Sequence, residues 1–497
     1  MVTTATEPTD GTGRTAIRPG AILALVCGAQ FMVVLDIAIV NVALPSVQAD
    51  LGLGQSDLQW VVITYGLMLG GLLLLGGRAA DLLGRRRVLV TGLAVFTVSS
   101  LTAGLAGSLG QLVASRAGQG AGAALVSPAA LSILASTFTE GAARNKALGI
   151  FGAVAGSAAS VGVLVSGALT TGPGWEWIFF VNVPIGIGLV VLVLRFVPAG
   201  GRAASGRADV LGAVAVTAGL MAVVYAINKS VDHGWTSNTT VGFLATGAAL
   251  LALFVLVERR AASPLLPLAM FRRRTLTAAN LVAALAFGSF FATIFQASLF
   301  MQQVLGYSAL RTGVAYLAIA GVSLLVAAGL AARVLGRLGA GWALALGQGC
   351  SAAGLLLLAR VPADATYWAD LFPGFVLVGV GIGFSVVAAQ VAAFIGVEDA
   401  FTGLAGGMVE TAREVGGALG TAVVASVAIA RADAVIASLG DGPAAGAAAL
   451  TDGFQRGSLV AAGFNVVAAV LALVVLRRAE RAVTAPVVGD LQPALAD

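Results

Sequence analysis

Runs with almost no charged residues recur from Ala21 to Leu476, each about twenty residues long. At about 1.5 Å rise per residue, a helix of that length crosses roughly 30 Å of hydrocarbon. Inside hydrocarbon every backbone N–H and C=O must be satisfied within its own segment, so these runs are read as helices. The composition agrees: the 497 residues are 59% hydrophobic and only 10% charged, well outside the range of soluble domains. The expected fold class is an all-α membrane protein with about fourteen transmembrane helices. Spans are expected near 21–44, 58–76, 88–106, 110–135, 147–169, 177–196, 210–227, 240–257, 275–300, 312–332, 341–359, 368–394, 402–430 and 457–476. No small-residue cleavage pattern follows a short apolar core, so the first helix is expected to be retained.

Sidedness follows from the basic residues. With the N-terminus in the cytoplasm, Arg78, Arg85, Arg86, Arg87, Arg259, Arg260, Arg333, Arg337 and most other cations share that side. The opposite side receives only Lys229, Arg311, Arg360, Arg431 and Arg456. That asymmetry puts both termini in the cytoplasm and the protein in the cytoplasmic (inner) membrane as a multi-pass protein. The net charge of +5 is then a topology signal, with membrane lipid rather than nucleic acid as the partner.

Several chemistries lack their residues. Lys146 and Lys229 both follow asparagine, so no phosphate-cradling G-x-x-x-x-G-K-[ST] loop exists. Uphill work would draw on an ion gradient, where one proton moving down 100 mV supplies roughly 2.3 kcal/mol. His233 is the single histidine, and Cys27 and Cys350 lie far apart with no ligand spacing. No metal, no cofactor and no enzyme activity are expected.

A repeat organises the rest. Gly77–Arg85 and Gly329–Arg337 agree at both glycines, both alanines, one leucine and the final arginine. The copies lie on the same expected side, as in transporters built from parallel repeats. They are eight helices apart in this count rather than six, so two helices are expected to be inserted. The expected organisation is a tail at 1–19, a six-helix bundle at 20–198, and linkers with two inserted helices at 199–272. A second six-helix bundle at 273–478 and a tail at 479–497 follow.

Ionisable side chains inside spans cost at least about 2.5 kcal/mol at mid-membrane and are functional candidates. Asp36 and Arg116 fall at similar depth in helices one and four. Their pairing would hold a carboxylate ionised until a proton or substrate breaks it; a permanent structural lock is the other reading. Glu410, Arg413 and Glu414 share one face of helix thirteen by their i, i+3, i+4 spacing. They form either a proton or cationic-substrate site that titrates as a coupled group, or a structural network. Phe287, Phe290, Phe291 and Phe295 with Gln296 make an aromatic surface on helix nine, suited to amphipathic ligands or simply to packing. Asn41 and Gln119 are further substrate-cavity candidates. Gly149, Gly152 and Gly156 suggest close packing of helix five, and Pro184 and Pro373 suggest kinks.

Gly77-Arg78-Ala79-Ala80-Asp81-Leu82-Leu83-Gly84-Arg85-Arg86-Arg87 resembles the loop signature between helices two and three of the major facilitator superfamily. Leu35–Pro45 is similar to the first-helix signature of its fourteen-helix drug:proton antiporter branch. Arg116–Gly122 resembles the fourth-helix signature with its buried arginine, and Trp175–Pro184 the start of helix six. Helix five departs: Val163 follows Gly162, and Ser166-Gly167 stands where a glycine pair is usual. Glu176 also replaces the usual arginine between the two tryptophans, and Leu82 a common basic residue.

The resemblance implies two rocking six-helix bundles, alternating access, and proton-coupled export of small hydrophobic or amphipathic drugs and antibiotics. The partners would be a small-molecule substrate and protons, with the chain working as a monomer. Gly77, Arg78, Asp81, Gly84, Arg85 and Arg86 would form a cytoplasmic gate that steadies the outward-facing state; the plain alternative is a topology anchor. Uptake of a specific solute, or a non-transporting receptor or scaffold, are the competing functions.

Overall fold

The computed structural model describes residues 19–138, 142–198, 209–261, 264–266, 268–395, 397, 402–439 and 443–478. The expected linker Gly200–Arg207, Pro267 and both terminal tails lie outside them. Thirteen of the described helices are long and apolar enough to cross a membrane, and Ala142–Thr171 is a further helix of membrane-crossing length. The chain is an all-helical, multi-pass membrane protein.

One compact unit comprises Met1–Val223, Gly242–Leu265 and Gly306–Val314. It holds α1 (Pro19–Leu51), α2 (Gln55–Leu83), α3 (Arg85–Gly104), α4 (Leu109–Thr137), α5 (Ala142–Thr171), α6 (Trp177–Phe180) and α7 (Asn182–Phe196). α4 packs along both α2 and α3, α1 along α5, and α7 along α3. Val26, Met32, Leu89, Phe96, Val126 and Val193 are among the residues that fill its core. Parts of α8 (Val210–His233) and α9 (Asn238–Arg260) belong to this unit too. There Thr217 of α8 fills the space beside Gly71 of α2, and Gly219 faces Leu250 and Leu251 of α9.

The second unit comprises Val224–Val241, Leu266–Leu305 and Ala315–Asp497. α10 (Arg274–Leu299) packs along α15 (Thr402–Leu439), while α13 (Ala340–Leu358) packs along α14 (Phe372–Phe394) and α16 (Pro443–Leu471). α11 (Ala309–Leu325) and α12 (Ala331–Leu338) are joined by a π turn at Val326–Leu330. An added Cβ on Gly288 of α10 would stand 2.7 Å from the Gly416 carbonyl of α15, so only glycine permits that approach.

The glycine-punctuated motif is not a loop throughout. α2 continues through Gly77, Arg78 and Asp81 to Leu83, and the chain breaks at Gly84, whose φ of 94° suits glycine. In the second copy the aligned Gly336 is helical, and the break falls at Gly339, with φ 82°. Pro184 and Pro373 are the third residue of α7 and the second of α14, each directly after a helical turn, Trp177–Phe180 and Tyr367–Leu371, so both stand where one helical segment passes into the next. The helices with interior prolines are α1, at Pro45, and α4, at Pro128. The surroundings of Gly149, Gly152 and Gly156 lie outside the described residues.

Candidate functional site

Ser108 caps α4 by accepting from the Gln111 N–H at 3.4 Å, and two turns on the helix presents Arg116 and, one turn later, Gln119. Asp36 of α1 is fully buried and Arg116 is 1% exposed. Arg116 donates through NH1 to Asp36 Oδ2 at 2.5 Å, so the structure brings the two together. The other carboxylate oxygen, Oδ1, accepts from Gln119 Nε2 and from Asn182 Nδ2 of α7, both at 2.9 Å. Three donors from two helices therefore hold one carboxylate.

The guanidinium is equally constrained. Its Nε donates to the Val61 carbonyl of α2 at 2.9 Å, and NH1 also reaches Gln119 Oε1 at 2.8 Å. The Tyr65 ring lies 4.3 Å from its Cζ, and the Tyr65 hydroxyl donates to the Val33 carbonyl of α1 at 3.2 Å. Gln119 Nε2 donates to Ser100 of α3 at 2.8 Å as well. Removing either charged partner alone would leave an uncompensated buried charge, at a cost of about 3–5 kcal/mol.

Where α5 departs from the expected signature it still grips α1. The buried Ser166 hydroxyl donates to the Ile39 carbonyl, three residues beyond Asp36. An added Cβ on Gly162 would stand 2.9 Å from Ala38 Cβ, so the backbones there are close. Asn41 donates to the Ile37 carbonyl at 3.0 Å within α1.

In the second unit, two of the three charges of α15 make a direct ion pair. Arg413 pairs with Glu410 at 2.6 Å and lies 4.1 Å over the Phe287 ring of α10. Glu414 is 4% exposed and has no hydrogen-bond or ion-pair partner among the described residues. Phe287, Phe290 and Phe291 form one ring cluster with centroids 5.6–6.2 Å apart. Phe295 and Gln296 are buried, with Gln296 beside Gly457 of α16 and its Oε1 without a hydrogen-bond partner among the described residues.

At the Gly84 turn, Arg86 donates to the Leu194 carbonyl in the last turns of α7, where the helix dipole attracts a cation. Arg78 and Asp81 are half-buried and have no hydrogen-bond or ion-pair partner among the described residues.

The sequence reading missed Asn182, Ser100 and Tyr65 as members of the Asp36 cluster. A polar side chain inside an apolar run is the only signal each gives. Gln119, expected in a substrate cavity, is fully buried within that cluster.

Comparisons with known proteins agree with this architecture. Residues 26–421 match the Major Facilitator Superfamily. The chain is 38% identical over 460 residues to the puromycin resistance protein pur8 of Streptomyces alboniger, covering 91% of this chain and 90% of that one. It is 40% identical over 423 residues to the cephamycin export protein CmcT of Amycolatopsis lactamdurans, covering 84% and 87%. Among solved structures, a bacterial homolog of the human lysosomal transporter Spinster, in an inward-facing and unoccupied conformation, superimposes with a TM-score of 0.65. It has 17% identity over 92% of this chain and 97% of that one, a likeness of fold. The buried charge cluster thus sits in a helical frame of known kind, and the chain belongs to the major facilitator superfamily.

Proposed function

We propose that the protein is a drug-efflux transporter that exports small hydrophobic or amphipathic compounds, antibiotics among them, in exchange for protons. Its relatives over most of their length are named as antibiotic resistance and export proteins. The observation that carries the proton half of this reading is the Asp36 carboxylate, fully buried and held by Arg116, Gln119 and Asn182. Such a group can exchange its cation partner for a proton only if the helices around it repack. That is the coupling an alternating-access exporter needs.

Glu414 is the second acid in this scheme, available to a proton or to the cationic part of a substrate beside the Phe287 ring cluster. The motif at Gly77–Arg86 acts as the cytoplasmic gate. The protein resides in the cytoplasmic membrane with both termini inside, works as a monomer and needs no cofactor beyond the proton gradient.

Reconstitution in proteoliposomes with an imposed pH gradient, assayed with a panel of antibiotics and dyes, tests the reading. Gradient-dependent movement of at least one compound is expected. No movement of any compound, with no substrate-dependent proton flux, would contradict it.

A further inference from the structure

α15 carries Glu410, Arg413 and Glu414 inside a segment apolar enough to cross a membrane, and their bonds leave the one cation half used. Glu410 is about 12 Å into the helix, at about 1.5 Å per residue from Thr402. Its side chain is nonetheless 39% exposed and that of Arg413 24%. At that depth such a pair borders open, water-accessible space rather than lipid. Arg413 donates to Glu410 through Nη1 at 2.6 Å. Its Nε is buried, and neither Nε nor Nη2 has a hydrogen-bond partner among the described residues. Those two nitrogens form the edge of the guanidinium whose parallel N–H groups match the two oxygens of a carboxylate. The Phe287 ring, 4.1 Å from Cζ, backs the plane of that fork.

A complementary group stands beside it. Glu414 is 4% exposed and has no hydrogen-bond or ion-pair partner among the described residues. At 3.6 residues per turn, Arg413 lies about 60° to one side of Glu410 and Glu414 about 40° to the other. One turn beyond Arg413, the Phe291 ring packs over Gly417, where a Cβ would collide with it. Phe290 and Phe291 stay half-buried, so ring surface remains open next to the charges. A cationic ligand would answer Glu414 and leave the Arg413 edge unused. An anionic one would use that edge but add negative charge to a site that already holds two acids and one base. A ligand bearing both charges answers both groups.

We propose that this face of the second unit binds amphipathic zwitterions. The ligand carboxylate lies on the Nε–Nη2 edge of Arg413, its ammonium on Glu414, and its aromatic body on Phe290 and Phe291. Glu410 keeps Nη1 and repels the incoming carboxylate, so it sets how tightly that carboxylate is held. This assignment rests on the export reading above and names the substrate class at its second acid.

The test measures binding to the purified full chain in a non-ionic detergent by titration calorimetry, with three probes that share one aromatic body. Ciprofloxacin is a zwitterion at neutral pH, its methyl ester keeps only the amine, and N-acetylciprofloxacin keeps only the carboxylate. Ciprofloxacin should bind about tenfold or more tighter than either, the scale of one charge-assisted contact. Arg413→Lys keeps the charge beside Glu410 but loses the two-donor edge, so the ratio of ciprofloxacin to ester affinity should fall about tenfold. Glu410→Gln should raise that ratio, which removal of a purely structural ion pair would not do. Each ratio is taken within one protein, so a loss of folded material cancels.

An ester that binds wild type as tightly as ciprofloxacin would overturn the proposal, as would no binding of any probe. An unchanged ratio in either variant would do the same and leave Glu410–Arg413 as a structural pair. Movement of the antibiotic and dye panel in proteoliposomes reads the export proposal separately, whichever way these ratios fall.

Discussion

Asn182 reaches across 146 chain positions to donate its side-chain amide to Asp36 Oδ1 at 2.9 Å. The contact makes the start of α7 part of the same cluster as the ion pair between α1 and α4. Asn182→Ala should lower stability by about 1–3 kcal/mol, the cost of leaving a buried acceptor one donor short. Thermal unfolding of the purified protein reads that loss, and drug export by the same variant should fall with it.

The Asp36–Arg116 pair should behave as a unit. Arg116→Leu leaves Asp36 buried without its cation and should destabilise by about 3–5 kcal/mol. Adding Asp36→Asn to that variant should recover part of the loss, because no unpaired charge then remains. A double-mutant cycle on unfolding midpoints measures this; additive losses would mean that the two side chains do not interact energetically.

Glu410 and Glu414 are four residues apart yet should differ in their effect on transport. Glu410 is 39% exposed in its side chain and paired with Arg413, whereas Glu414 is buried. Glu414→Gln should reduce export of a cationic dye about tenfold or more, the scale of one charge-assisted contact. Glu410→Gln should change it much less, as a partly exposed pair contributes under about 1 kcal/mol. Initial rates in inverted vesicles distinguish the two.

Asp81 lies in the last turn of α2, half-buried and without an ion-pair partner among the described residues. If it serves the gate, Asp81→Asn should impair transport while insertion and topology stay as in the wild type. Cysteine accessibility from each side of the membrane reports topology, and drug accumulation in cells reports transport.

Much of this was legible because a charge in an apolar run is conspicuous. Asp36 and Arg116 stood out in their helices for that reason, and their similar depth suggested the pair. Asn182 did not, since an amide costs far less to bury than a charge and no spacing rule links α1 to α7. The helices themselves were visible, but their ends were not. α15 extends to Leu439 and α1 to Leu51, beyond the expected 430 and 44, because hydropathy tracks the hydrocarbon whereas backbone hydrogen bonding continues past it. Likewise the repeat located both motif copies, while only the dihedrals show that the second break falls at Gly339, three residues past the Gly336 that aligns with Gly84.

The most direct test is proton flux with Asp36→Asn in proteoliposomes. Adding an exported compound to wild-type vesicles with an imposed pH gradient should start proton movement, and the gradient should drive the compound. In a folded Asp36→Asn protein both should be lost, while substrate can still bind. Proton-coupled export at the wild-type rate in that variant would contradict the assignment of Asp36 as the coupling carboxylate.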